Sequence, residues 1–170
     1  MIWFTSDLHL GHRAAISMCG RPFKSVEEMN EILIRNFNSC VKKNDTVYIL
    51  GDISHRMPVS EVNQLIHKMN GRKILCKGNH DKKYDATLFE GIYDFLEIAI
   101  HGVNVSLMHY PMMSWPKSHY GSLHLHGHIH SKQDYNLQQK SDGILRYDVG
   151  VDANEFYPVS IEQIKKFFEI

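Results

Sequence analysis

The chain has 170 residues, a length that fits one domain spanning 1–170 and burying roughly 70% of the surface its unfolded form would expose. Its 19 Lys and Arg balance 19 Asp and Glu, which excludes long-range attraction to nucleic acid or to an anionic membrane, so any anion must be held locally. Three Cys without a C-x-x-C pair exclude a disulfide framework, no apolar run of about 18 residues offers a membrane span, and Asp7 interrupts any signal-peptide stretch, so a cytoplasmic protein is expected.

Ile2–Phe4 reads as a first buried strand. Ser25-Val26-Glu27-Glu28 is a capping box, and Val26, Met29, Ile32, Leu33, Phe37 and Val41 follow at helical spacing. Val47–Leu50 is a second strand, and Ser60 is expected to cap a helix carrying Val62, Leu65, Ile66 and Met69. Ile74–Cys76 is a third strand, which completes a parallel strand, helix, strand, helix, strand series. Phe95–Ile100 and Val103–Met108 flank His101-Gly102 as a hairpin, and Ser122–His126 and Ile144–Val149 are further strands. A second capping box, Ser160-Ile161-Glu162-Gln163, opens a C-terminal helix docked through Ile164, Phe167 and Phe168. A mixed α/β domain follows, with parallel βαβ units first and more antiparallel pairing later.

Histidine is the compositional anomaly, 12 residues against 11 glycines. Several sit where strands end. The first strand is followed by Asp7-Leu8-His9, the second by Gly51-Asp52 and the third by Gly78-Asn79-His80-Asp81; the later strands lead to His109 and to Gly127-His128-Ile129-His130. Ligands of open parallel sheets bind beyond the carboxyl ends of strands, so these residues should meet in one crevice. In extended backbone, residues two apart point the same way, which pairs Asp7 with His9 and His128 with His130. Gly51, Gly78 and Gly127 each precede a candidate ligand, where a missing Cβ permits close approach.

Asp7, His9, Asp52, Asn79, His109, His128 and His130 form a mixed nitrogen and oxygen donor set without thiolate. That chemistry suits Mn, Fe or Zn, with Ni or Co also compatible, better than Mg or Ca. Two divalent ions about 3.5 to 4 Å apart lie within reach of such pairs. With only two carboxylates, the centre would keep a positive charge and attract a phosphate ester.

In order, these motifs resemble those of the calcineurin-like metallophosphoesterase superfamily. Arg21-Pro22-Phe23, His109-Tyr110-Pro111, Gly121-Ser122-Leu123-His124 and Val149-Gly150-Val151-Asp152 extend the resemblance to its compact bacterial and phage members. The resemblance implies a two-sheet β-sandwich flanked by helices, with a dinuclear centre at the sheet ends. By position, Asp7, His9 and His130 would hold one metal, Asn79, His109 and His128 the other, and Asp52 would bridge them. His80 would contact phosphate and act as general acid while a metal-bound hydroxide attacks phosphorus. The Gly-Asp-x-x-Asp-Arg-Gly of protein phosphatases is absent, because His55 stands where its second Asp would be; this counts against a phosphoprotein substrate.

Arg56, His12, Arg13 and Tyr110 are further candidate substrate contacts beside Asn79 and His80; Arg21 follows the first motif closely enough to line the pocket edge, and Tyr110 and Trp115 could stack a nucleobase. One of His124 and His126 is a candidate for orienting a ligand, and Asp81 for partnering His80. His67, His101 and His119 receive no role. The function expected is hydrolysis of a small, possibly nucleotide-derived, phosphodiester or phosphomonoester. The alternatives are a nuclease, which the lack of a dense cationic stripe disfavours, and a metal-binding scaffold without catalysis, which the complete ligand set disfavours. No oligomeric state is implied.

Overall fold

The computed structural model describes residues 1–170. Strands β1 (Ile2–Thr5), β2 (Thr46–Ile49), β3 (Arg72–Cys76) and β4 (Gly91–Tyr93) pair in parallel, and β9 (Val159–Ser160) closes the sheet antiparallel to β1, giving the order β4-β3-β2-β1-β9. Helices α1 (Arg13–Met18) and α2 (Val26–Cys40) cross from β1 to β2, and α3 (Val59–Lys68) crosses from β2 to β3. The second sheet has the order β5-β6-β7-β8, from β5 (Phe95–Ile100), β6 (Val103–Met108), β7 (Leu123–His126) and β8 (Arg146–Asp148). Helix α4 (Gln133–Ser141) joins β7 to β8, and α5 (Ile161–Phe168) ends the chain.

Strand alternation sorts the apolar side chains into two cores. Trp3, Val47, Ile49 and Leu75 face α2 and α3, where Met29, Leu33, Phe37, Val62 and Ile66 are buried. Their neighbours Phe4, Leu50 and Cys76 face the other way, onto Val105, Leu107, Leu123 and Leu125 of the second sheet and Ile161, Ile164 and Phe168 of α5. The result is a mixed α/β fold of two mixed sheets flanked by helices.

The expected helices after Ser25 and Ser160 form, and both serines accept the predicted backbone N–H. Ser60 is not a cap: Pro58 precedes the helix, whose fixed φ suits the entry, and Ser60 lies within the first turn. The hairpin of β5 and β6 is antiparallel as expected, but β6 with β7 and β7 with β8 are parallel. The second half thus has the greater share of antiparallel pairing, as expected, through β5 with β6 and β9 with β1, and adds two parallel pairs for which a loop and α4 supply the returns. Helix α4 had no apolar signal because the residues it buries are Asn136 and Gln139, which bond to Asp148 and Arg146.

Candidate metal centre

The loops beyond β1, β2, β3, β6 and β7 converge on one cleft. Pairing continues past the strand ends: Asp7 N donates to Gly51 O and His9 N to Asp52 O, each at 3.0 Å. The backbone there is not extended. Asp7, His9, Asp52, His128 and His130 have φ of 58°, 49°, 54°, 74° and 47°, in the left-handed region that costs a non-glycine residue about 1–3 kcal/mol. The extended-chain argument for pairing Asp7 with His9, and His128 with His130, is thus corrected: alternate left-handed residues bring the side chains together. Gly127 and Gly78 allow the loops to close, since a Cβ on the first would collide with Ser6 Oγ and Asp7 Oδ2, and on the second with Asp52 Oδ1.

All seven candidate ligands meet. His9 Nε2 lies 3.1 Å from His130 Nε2, and His109 Nε2 lies 3.0 Å from Asn79 Oδ1 and 3.2 Å from His128 Nδ1. Between the two groups sits Asp52, whose Oδ2 is 3.5 Å from His9 Nε2 and 3.6 Å from His109 Nε2. Its other oxygen accepts from His80 N at 2.9 Å. Asp7 Oδ2 accepts from His128 N at 2.9 Å, while Asp7 Oδ1 is buried without a partner.

Second contacts fix which nitrogen faces the cleft. A carbonyl oxygen only accepts, so His109 Nδ1 donates to Leu50 O at 2.7 Å and its Nε2 lone pair points inward. His130 Nδ1 bonds Asp152 Oδ2 at 2.8 Å, with Cys19 Sγ 3.4 Å away on the same outer side. Asp152 is itself paired with Arg21 at 2.8 Å, both side chains fully buried, and Arg21 also donates to the carbonyls of Asp7 and Leu8. Sequence reasoning left Arg21 at the pocket edge and gave Asp152 no role; instead the pair ties the first ligand loop to His130. Asp81 does not partner His80. Its carboxylate accepts from the N–H groups of Asp52, Ile53 and Gly78 and from Tyr84 Oη, pinning two ligand loops together.

The electrostatics are those of a cavity made for a cation. Burial pushes Asp7 up to about 8. Burial, then the neighbouring His130, pull His9 down to about 2. Burial also lowers His130, but hydrogen bonds to Asp152 and Cys19 outweigh it and raise the ring to about 10. His9 Nε2 and His130 Nε2 face each other at 3.1 Å across the floor. The donor atoms of Asp7, His9 and His130 all lie within 4.8 Å of one another, as do those of Asp7, Asp52 and His109. With the orphaned Asp7 oxygen and inward nitrogen lone pairs, these clusters are able to hold divalent metal.

Around this floor, His80 is 37% exposed, with Nε2 4.0 Å from Asp52 Oδ2. Its ring packs at 4.2 Å on His55, which packs at 4.4 Å on His12. Tyr110 stacks edgewise on His128 at 4.5 Å and stays partly exposed. Arg13 and Arg56 lie outside the metal floor, on a neighbouring cavity that His12 also lines. Trp115 is buried and donates to Ser122 O, so it is core and not a stacking platform. His124 and His126 are buried, and burial lowers each to about 4. Their rings bond Ser106, Met112, Gly127 and Tyr135, none of them a candidate ligand.

The family model of the calcineurin-like phosphoesterases matches residues 1–152, the stretch that contains every residue of this floor. The chain belongs to that family. Among its relatives, an uncharacterised protein of Methanocaldococcus jannaschii is 34% identical, covering 99% of this chain and 91% of its own. The gene 66 protein of mycobacteriophage L5 is 32% identical over 89% of this chain and 86% of its own. Among solved structures, a protein of unknown function from Aquifex aeolicus superposes with a TM-score of 0.78 at 28% identity, covering 98% of both chains. An archaeal phosphodiesterase shares the fold, with a TM-score of 0.54 at 20% identity over 88% of this chain and 82% of its own. Members of this family are phosphoesterases, which makes the protein a hydrolase in the broad sense, and none of its helices is long and apolar enough to cross a membrane.

Proposed function

We propose that the protein hydrolyses a small phosphodiester, with phosphomonoesters as poorer substrates, at a dinuclear metal centre. Asp7, His9 and His130 would hold one ion, Asn79, His109 and His128 the other, and Asp52 would bridge them. The observation that carries this reading is the position of Asp52 Oδ2, nearly equidistant from His9 Nε2 at 3.5 Å and His109 Nε2 at 3.6 Å. When bound, such ions supply Lewis acidity, neutralising phosphoryl oxygens and lowering the pKa of water to about 7.

The chain's own groups do the rest. The Asp152–His130 and Leu50–His109 hydrogen bonds hold both rings by Nδ1, so that Nε2 of each faces the cleft and the rings need not turn when the ligand set fills. His80, half-exposed above Asp52, is placed to bond a phosphoryl oxygen and to give its proton to the leaving oxygen. Asn79 stands exposed on the opposite lip, bonded to His109 on its inner side, and orients the substrate. The cleft reaches solvent at the exposed Asn79 and the half-exposed His80, which favours an ester with groups on both sides.

Metal analysis with turnover of bis(nitrophenyl) phosphate and nitrophenyl phosphate in added Mn(II) tests the reading. Hydrolysis of the diester with higher kcat/KM is expected. Activity on the monoester alone overturns the diester preference, and no turnover of either by a metal-loaded chain overturns the enzymatic reading.

A further inference from the structure

Beside the metal floor lies a second cavity, built by two loops that are joined to each other. Leu10 N donates to Ile53 O at 2.9 Å and His55 N to Leu10 O at 3.2 Å, while Gly11 N donates to Asn30 Oδ1 of α2 at 3.0 Å. Gly11 and Met57 approach so closely that a Cβ on Gly11 would come within 2.7 Å of the Met57 Cβ. The outer side of this junction is an open cavity of about 600 Å³.

Its polar lining is His12, Arg13, Lys24, Ser25 and Arg56, with no carboxylate. None of the three cations forms an ion pair. Two acids on the first turn of α2 border the cavity without forming an ion pair to its cations: Glu28 accepts from Lys24 N, and Glu27 is held by its own backbone and by Ser25, with Arg13 near enough to favour its charged form. Arg56 has φ 58°, a strained conformation for a non-glycine residue, and its exposed side chain lines the cavity. In a chain with no net charge, three unpaired cations on one concave surface form a local anion site.

The site is continuous with the metal floor. His12 lines both cavities, and its ring lies 5.5 Å from that of His9. The stack His12, His55, His80 runs from the cationic cavity to the lip above Asp52.

We propose that this cavity holds a second phosphoryl group of the substrate, so that the natural substrate is a small phosphoester with two phosphates. Arg13 and Arg56 present planar forks suited to phosphate oxygens, and Lys24 adds a point charge. The inference rests on the phosphoesterase reading and names its substrate class. A small ligand is favoured over a nucleic acid because the protein as a whole has no net positive charge to draw in a long polyanion.

The test uses the metal-loaded full chain and a matched pair, thymidine 5′-(nitrophenyl phosphate) and the same compound with a 3′-phosphate. The 3′-phosphorylated compound should have at least a tenfold higher kcat/KM. Lys24→Glu and Arg13→Glu should each cut that ratio severalfold, through KM more than kcat. Equal kcat/KM for the pair, in a protein that hydrolyses bis(nitrophenyl) phosphate, overturns the second subsite and leaves the phosphoesterase reading intact. Calorimetry with thymidine 3′,5′-bisphosphate and thymidine 5′-phosphate decides the matter independently of turnover. The bisphosphate should bind at least tenfold tighter, with the margin reduced in Lys24→Glu. Equal affinities overturn the proposal, as does an oligonucleotide that displaces the bisphosphate with a far steeper salt dependence.

Discussion

Asp7, His9, Asp52 and His109 are at most 3% exposed, and three of them bond backbone through the atom that does not face the cleft. Arg13, Arg56 and Tyr110, a few ångströms to the outside, are exposed or partly so, and no side-chain hydrogen bond within the chain restrains the two arginines. The floor is therefore preorganised, with left-handed backbone, glycine-sized gaps and a buried Arg21–Asp152 pair holding donor atoms in place. The rim is free to adapt to a ligand. The difference teaches that the chemistry belongs to the floor and the choice of substrate to the rim, so variants of the two should fail in different ways.

The largest effect is expected at the floor. Asp52→Asn removes the shared charge between the two donor groups and should lower kcat by at least about 10³-fold, a loss of several kcal/mol of transition-state stabilisation. His80→Ala, one step outward, should cost about 10²-fold with a poor leaving group and much less with nitrophenolate. Equal losses on both would remove the general-acid role.

Asp152→Asn tests whether the floor is held from behind. It should lower metal affinity by about 10–100-fold by freeing His130, and destabilise the fold by about 3–5 kcal/mol by leaving Arg21 buried without its partner. Because Asp152 is held near 2 despite its burial, by His130 and Arg21, its stabilisation is present above the ordinary carboxylate range and disappears as pH falls through about 2. Denaturant titration of the metal-free variant and parent measures that difference.

Metal uptake should itself release protons. In the metal-free chain Asp7 titrates near 8 and His130 near 10, so at pH 7 both hold a proton that a metal must expel. His9, held neutral near 2, has none to give. Affinity should therefore rise with pH between 6 and 8, read by calorimetry in buffers of different ionisation enthalpy, and a pH-independent affinity would contradict the assignment. The smallest change is expected at the rim: Tyr110→Ala should alter kcat by less than about threefold, because its ring edge supports His128 without bonding it.

Much of the floor was legible in the sequence because each candidate ligand follows a strand whose own apolar run is plain. Asp7, Asp52, Asn79, His109 and the His128 pair could be placed at one sheet end without coordinates. The residues behind them could not. Asp152 acts on His130 from a turn following β8, and Asp81 clamps loops that precede it by nearly thirty positions, so no local spacing announces either. The left-handed backbone was hidden because sequence patterns report side-chain periodicity and not the sign of φ. Helix α4 was hidden because its buried face is polar, and α1 because a six-residue helix with one buried alanine leaves no stripe.

Titration of metal-stripped protein with Mn(II), followed by electron paramagnetic resonance, tests the account most directly. Two ions per chain with the signature of an exchange-coupled pair, lost in Asp52→Asn, are predicted. A single ion, or two that remain magnetically independent in the parent protein, would contradict a centre bridged by Asp52.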